Sequence, residues 1–294
     1  MDGMLTYSVA GHVFGIQTPD KAVTRGILSS YASFHVEKSV DSDLLFCLQG
    51  NRRVDIPDAP CGDAVQRDAV TYYLYHTEQG LTVSMQYNGR EHRLFASPGF
   101  QEIISDVTSF SRSEALFINS FLRMAFGLTA VRYQTIKVHA SVIEMNGKAL
   151  VFLGKSGTGK STHSRLWLQH IPGCTLLNDD EPVLRTFDDG SVRVYGAPWS
   201  GSTCCYRNDW AEVAAIVHLH QGPDNKLDRM TTLEGLASLY KSAALLRSDR
   251  QNKDKVLDVV IRVIERIPMY RLDCRPDHEA VLLTRGLLPV TWDS

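Results

Sequence analysis

The sequence predicts an α/β protein in two parts. A β-rich N-terminal domain over residues 1–110 is followed by a domain over residues 111–294 in which strands and helices surround one glycine-rich loop. Three observations lead there. Up to about Phe100 the chain reads as short strands broken by turn residues. From Ser111 onward helical periodicity enters. And the apolar run Ala149–Leu153 passes directly into Gly154–Thr162, after which Thr162–His170 contains neither Gly nor Pro, giving strand, loop and helix in succession.

In the first part, Thr71-Tyr72-Tyr73-Leu74-Tyr75 is β-branched and aromatic, and Thr82–Tyr87 alternates. Asn88-Gly89 follows, and Arg93–Ala96 resumes, which is a hairpin signal. Gly11-His12 and Gln79-Gly80 mark further turns, and Asp55–Ala64 reads as a loop. His12, His35, His76 and His92 are dispersed and form no catalytic constellation. A helix then follows, capped by Ser111 or Ser113, with Leu116, Phe117, Phe121, Leu122, Met124 and Ala125 as its apolar face and Gly127 as its stop. The domain boundary is expected near Phe110.

Gly154–Thr162 reads G-K-S-G-T-G-K-S-T and contains the phosphate-binding pattern G-x-x-x-x-G-K-[ST] at Gly154, Gly159, Lys160 and Ser161. Backbone N–H groups can surround a polyphosphate only where no Cβ intervenes, which Gly157 and Gly159 allow. The following helix adds the positive end of its dipole. The expected nucleotide-binding set is Gly154, Lys155, Ser156, Gly157, Thr158, Gly159, Lys160, Ser161 and Thr162. Lys160 supplies a mobile charge for the β and γ phosphates, and the Ser161 hydroxyl can bind Mg²⁺.

Around this loop the chain places further chemistry. Thr135–Ile143 alternates as a strand, turns at Asn146-Gly147 and returns into the loop, so His139 and Ser141 are expected on one face of a strand paired with the loop strand. Cys174–Asn178 is a short strand ending in Asp179-Asp180-Glu181, and it is expected beside the loop strand. There Asp179 and Asp180 can hold a metal or accept a proton. Gly196-Ala197-Pro198-Trp199-Ser200-Gly201-Ser202-Thr203 is either a plain loop or a substrate-binding one, with Gly196, Trp199, Ser200 and Gly201 as candidates and Arg207 as an anion clamp. His218 and His220 share a strand face, a metal-compatible spacing without a third ligand nearby. Thr231–Glu234 is a capping box before a helix through Ala243 and Ala244. A helix over Lys253–Arg266, a strand at Met269–Leu272 and a last helix opening at Pro276–Glu279 complete the chain.

The 294 residues are 44% hydrophobic and 22% charged, with a net charge of -2, ordinary globular values that give no electrostatic reason for a nucleic-acid or membrane partner. Met1–Thr6 does not read as a signal peptide, and no apolar run approaches bilayer length. Six scattered cysteines without C-x-x-C indicate neither disulfides nor zinc. A cytoplasmic setting is the expectation.

Val138-His139-Ala140-Ser141, the loop, and Leu177-Asn178-Asp179-Asp180-Glu181 together resemble the shared core of HPr kinase/phosphorylase and ATP-dependent phosphoenolpyruvate carboxykinase. The resemblance covers Ile136 to Glu181. It implies a P-loop core with a mixed sheet, ATP or GTP as donor, and Mg²⁺ or Mn²⁺. It further implies that Lys160 and Ser161 hold phosphate and metal, that one of Asp179 and Asp180 binds the metal, and that in the kinase branch the other is the base. His139 corresponds to a metal ligand in the carboxykinase branch. The carboxykinases' upstream lysine has no counterpart between Lys38 and Lys137, and Thr162 stands where HPr kinases carry Glu. The implied activity is a kinase related to HPr kinase, acting on a hydroxyl of a small molecule or peptide. The alternatives are a carboxykinase-like lyase and a non-catalytic nucleotide-binding partner protein.

Overall fold

The computed structural model describes residues 3–37, 43–67, 69–108, 111–201, 203–243 and 250–288. Met1, Asp2, Phe110, Ser202 and Ala244, which figure in the sequence reading, lie outside them. The protein is mixed α/β and divides into two compact units, Met1–Tyr133 with Leu245–Lys253, and Gln134–Ala244 with Asp254–Ser294.

The first unit holds strands β1 (Gly3–Val9), β2 (His12–Thr18), β3 (His35–Val36), β4 (Cys47–Gln49), β5 (Asp63–Arg67), β6 (Val70–Thr77), β7 (Gly80–Tyr87), β8 (Arg90–Ala96) and β9 (Ile103–Ser105), with helices α1 (Lys21–Ile27) and α2 (Ala115–Ala130). They form one sheet in the order β3-β1-β2-β4-β9-β8-β7-β6-β5. It is antiparallel except where β4 pairs with β2 and β9. The Asn88-Gly89 hairpin forms as its residues require: both have positive φ, +48° and +71°, the two-residue turn that matches strand twist.

The boundary falls between Tyr133 and Gln134, later than the expected 110, because α2 packs within the first unit. Phe126 meets Phe14 at 5.9 Å, Phe117 meets His92 at 4.6 Å, and Tyr31 Oη donates to Asn119 Oδ1 at 3.0 Å. Nor does Gly127 stop the helix, which runs on to Ala130. The buried Leu128 and Ala130 offset the roughly 1 kcal/mol that an interior glycine costs. Contrary to expectation, Arg112–Tyr133 is long and apolar enough by composition to cross a membrane, but 67% of its apolar window is buried inside the protein.

The second unit holds β10 (Thr135–Lys137), β11 (Ala140–Met145), β12 (Lys148–Leu153), α3 (Lys160–His170), β13 (Thr175–Asp180), β14 (Val183–Thr186), β15 (Val192–Tyr195), β16 (Trp210–Gln221), β17 (Lys226–Arg229), α4 (Thr232–Ser242), β18 (Met269–Cys274) and α6 (His278–Arg285). Helix α5 (Arg250–Arg266) runs across the division in sequence. The sheet order is β10-β14-β15-β16-β12-β11-β13, with β18 joining β16 and β17 joining β18. One face packs on α3 and α6 through Ile143, Leu150, Phe152, Trp167, Val217, Leu272 and Val281, each large side chain contributing about 1.5–3 kcal/mol of burial.

Two sequence expectations change here. β13 does not lie beside β12: the hairpin strand β11 stands between them, antiparallel to both. β12 and β13 therefore still point the same way, and their carboxyl ends meet at one edge. And residues 135–143 are not one strand. β10 pairs with β14 and β11 with β13 in a single continuing register, from Thr135↔Arg185 to Val142↔Asn178, broken at Val138-His139 where the ribbon bends. The end of α4 covers that bend: Val138 bridges Ala243, and His139 N donates to Ser242 O at 2.8 Å.

Candidate functional site at the carboxyl ends of β12 and β13

β12 ends at Leu153, and Gly154 turns the chain at φ +153°, where a side chain is strained. Gly157 and Gly159 also have positive φ, +81° and +99°. Gly159 is the N-cap of α3, and no side chain caps the helix. The first N–H groups of α3 are thus left to a ligand or solvent. Lys155, Ser156 and Gly157 are exposed, and Thr158 Oγ1 donates to Lys155 O at 2.8 Å. Gln221, at the end of β16, donates to Gly157 O at 3.3 Å and braces the loop. Thr162 lies half-buried in the first turn of α3.

Lys160 folds back under the loop and is buried. Its ammonium lies 3.0 Å from Gly154 O, 3.2 Å from Lys155 O and 3.0 Å from His139 Nε2, which occupies all its donors. Burial pulls its pKa below the ordinary lysine value, against the opposing charges of Asp180 and Asp179. The other ring nitrogen, His139 Nδ1, lies 3.1 Å from Asp180 Oδ1. Accepting from Lys160 at Nε2 fixes the tautomer: Nδ1 carries the proton and donates to Asp180.

Alternation along β13 sends Asp179 and Asp180 to opposite sides. Asp179 is buried and accepts from Ser161 Oγ at 3.1 Å. Its strand partner Ser141 lies on the same side, 2.7 Å from Ser164 Oγ on α3. Asp180 faces His139. So His139 and Ser141 do not share surroundings as expected, because the bend at Val138-His139 turns the histidine toward Asp180. Asp180 has φ +138°, a region non-glycine residues avoid, at a cost on the order of 1–3 kcal/mol.

The segment from Gly196 to Arg207 is anchored along β13. Ser200 bridges Asp180, and Gly201 N donates to Asp179 O at 2.8 Å. Ser200 Oγ donates to Asp179 O at 3.1 Å and also bonds Thr203 O. These two residues adjoin the acids. The remaining candidates do not. Trp199 is buried at 3% exposure beneath Lys137 Nζ, 5.1 Å from its ring centroid. Gly196 is packed under Arg207 O, where a Cβ would lie at 2.0 Å. Arg207 binds Thr175 Oγ1 at 2.7 Å, Leu176 O at 3.0 Å and Asp209 Oδ2 at 2.7 Å. That is the amino end of β13, away from Asp179 and Asp180, so Arg207 clamps the loop to the strand rather than an anion.

Sequence reasoning passed over two groups. Lys137 Nζ and Glu181 Oε2 form a buried ion pair at 2.9 Å across the bent ribbon. Asn178, fully buried, donates to Ala197 O and Trp199 O, each at 3.3 Å. Glu181 directly after the two aspartates and Asn178 directly before them were the available signals. Among the described residues, no group of three or more His, Cys, Asp or Glu could hold a metal ion. Ser161 and Asp179 are oxygen donors of the kind Mg²⁺ takes when substrate phosphates complete its shell. A cavity of about 480 Å³ lies elsewhere, between Phe187–Gly190 and α5, and contains none of these residues.

Fold and site thus define a mixed α/β protein with a glycine loop, a lysine, a histidine and two aspartates at one sheet edge. No protein family's model matches the chain, and no curated protein matches it. Among solved structures, HPr(Ser) kinase/phosphatase from Coxiella burnetii is similar at 14% identity, over 51% of this chain and 92% of that one, with a TM-score of 0.30. A likeness of that strength defines no family.

Proposed function

We propose that the protein is a cytoplasmic phosphotransferase that moves the γ-phosphoryl group of ATP to a hydroxyl of a small molecule or peptide. The observation that carries this reading is the contact chain Lys160–His139–Asp180 beside Ser161–Asp179. Backbone N–H groups of Gly154–Ser161 cradle the phosphates, and Lys160 exchanges one of its present acceptors for a phosphate oxygen. Ser161 and Asp179 would hold Mg²⁺, which supplies charge neutralisation on the phosphates. Once Lys160 turns to phosphate, His139 Nε2 is released to take the acceptor's hydroxyl proton, and Asp180 stabilises the resulting imidazolium. The acceptor oxygen bonds to phosphorus as the bond to the leaving nucleoside diphosphate breaks. Ser200 and Gly201 hold the acids in place from the adjoining edge.

The experiment is calorimetry with Mg-ATP and Mg-GTP, paired with turnover of labelled nucleotide across a panel of hydroxyl acceptors. Lys160→Ala should abolish nucleotide binding. Asp180→Asn should keep binding and lose turnover by about 10²–10⁴-fold, the range of general-base catalysis. Full activity in Lys160→Ala would sink the proposal.

A further inference from the structure

Beside the loop stands a second group of polar side chains that the reading above leaves unused. His218 pairs with Leu153, the last residue of β12, and His220 lies two residues further along, level with the start of the loop. The two rings stack at 4.7 Å with an interplanar angle of 24°. His218 Nδ1 lies 2.5 Å from Ser238 Oγ on α4. His220 and Lys241 are exposed.

The charges around this pair do not balance. Arg271 is held by Asp273, through Nε at 3.1 Å and Nη2 at 2.8 Å. Asp228 pairs with Lys226 at 2.7 Å. Glu234 accepts from Thr231 N at 2.8 Å and Thr231 Oγ1 at 2.7 Å as the cap of α4. At the end of α4, Leu239 O and Tyr240 O accept from Ala243 N, and Ser242 O from His139 N. Each neighbouring acid is therefore engaged, and Lys241 makes no ion pair among the described residues. Burial first, then the positive charges of His220, Lys241, Lys160 and Arg271, hold the His218 pKa down to about 4. In the tautomer whose Nδ1 accepts from the Ser238 hydroxyl, the neutral His218 ring presents Nε2–H as a donor.

We infer that His218, His220 and Lys241 form a second anion site, which holds an oxyanion carried by the phosphoryl acceptor. The assignment rests on the phosphotransferase reading for the word acceptor, but not for the site itself. Paired residues His218, Leu153, Ala140 and Asp180 lie in one row across four strands. His139 adjoins Ala140. At the usual strand spacing, His218 and Ala140, beside the proton-accepting His139, stand two strands or about 10 Å apart. The acceptor is thus a hydroxyl compound or peptide whose anionic group sits about 10 Å from the reacting oxygen.

The probe is inorganic phosphate, added to protein saturated with Mg²⁺ and a non-hydrolysable ATP analogue, so that the loop is already filled. The readout is the pair of imidazole Cε1–H signals of His218 and His220 by NMR. Saturable shifts of both rings are expected. Phosphate affinity should fall about tenfold or more in Lys241→Met and in His220→Gln, with analogue affinity by calorimetry unchanged. If phosphate moves neither ring, or if its affinity is unchanged in both variants, the site does not exist. Should the analogue fail to bind at all, the phosphotransferase reading falls. The phosphate titration then runs on Lys160→Ala, which lacks the loop lysine, and decides the anion site by the same two outcomes.

Discussion

His163 illustrates how a residue of the loop helix serves the scaffold. It sits one turn after Gly159 on α3, 3% exposed, with its ring edge-on to Phe152 at 4.7 Å and Nε2 3.2 Å from Thr284 Oγ1. Trp167 Nε1 donates to the same hydroxyl at 2.9 Å, so one threonine of α6 ties down two side chains of α3. Burial drives the His163 pKa down to about 4 from 6.5. The folded state therefore holds this ring neutral while the unfolded chain protonates it near pH 6.5. Stability is intact above that value and is lost as pH falls toward 4, by about 3 kcal/mol in full. His218 acts in the same direction. Urea unfolding of wild type should show a declining midpoint between pH 7.5 and 4.5, and His163→Gln should flatten that decline. An unchanged slope in the variant would assign the acid sensitivity to other groups.

At the scale of elements, the site depends on a loop laid along a strand. The segment from Gly196 to Arg207 is fastened to β13 by Asn178 at one point, by Arg207 at another and by Gly201 N at a third. Gly196 is wedged between the end of this segment and β13, and an added Cβ would meet Arg207 O at 2.0 Å and Leu177 O at 3.1 Å. Backbone cannot give way as a side-chain tip does. Gly196→Ala should cost about 1–3 kcal/mol, measurable in denaturant midpoints. On the proposed function it should also lower turnover more than nucleotide affinity, because it displaces the strand that carries Asp179 and Asp180 rather than the loop that carries Lys160. Equal losses in both would place the loop of residues 196–207 elsewhere in the chemistry.

How far such elements can be read from sequence depends on how local their causes are. The turns at Asn88-Gly89 and Asn146-Gly147 were legible because positive φ at both positions is a demand those residues alone satisfy cheaply. The capping box at Thr231 and Glu234 was legible for the same reason. Strand order was not. The insertion of β11 between β12 and β13 follows from which ladders close across the whole sheet, and no residue in β11 announces it. Within the site, the loop and the aspartates were legible as motifs. The partnering of Asp179 with Ser161 and of Asp180 with His139 required the bend in the ribbon and the unusual backbone of Asp180. Trp199 was a substrate-binding candidate of a glycine-rich loop, but it is buried beneath Lys137, beside the Asn178 clamp.

For the molecule as a whole, the useful consequence of two compact units is thermodynamic. The loop, His139 and both aspartates all belong to the unit formed by Gln134–Ala244 and Asp254–Ser294. A ligand that binds only the folded form of that unit adds its binding free energy to that unit's unfolding. At a free nucleotide concentration one hundred times Kd the gain is about 2.7 kcal/mol, which for a unit of this size raises Tm by roughly 5–10 °C. Scanning calorimetry with and without Mg-ATP should register that shift, and Lys160→Ala should abolish it. If unfolding resolves into two transitions, one of them should move with nucleotide and the other stay. Hydrogen exchange should place the added protection at residues 154–162 and 178–180. Protection arising only in strands β1 to β9 would mean that nucleotide binds the other unit, and the loop's phosphate pattern would then have no part in it.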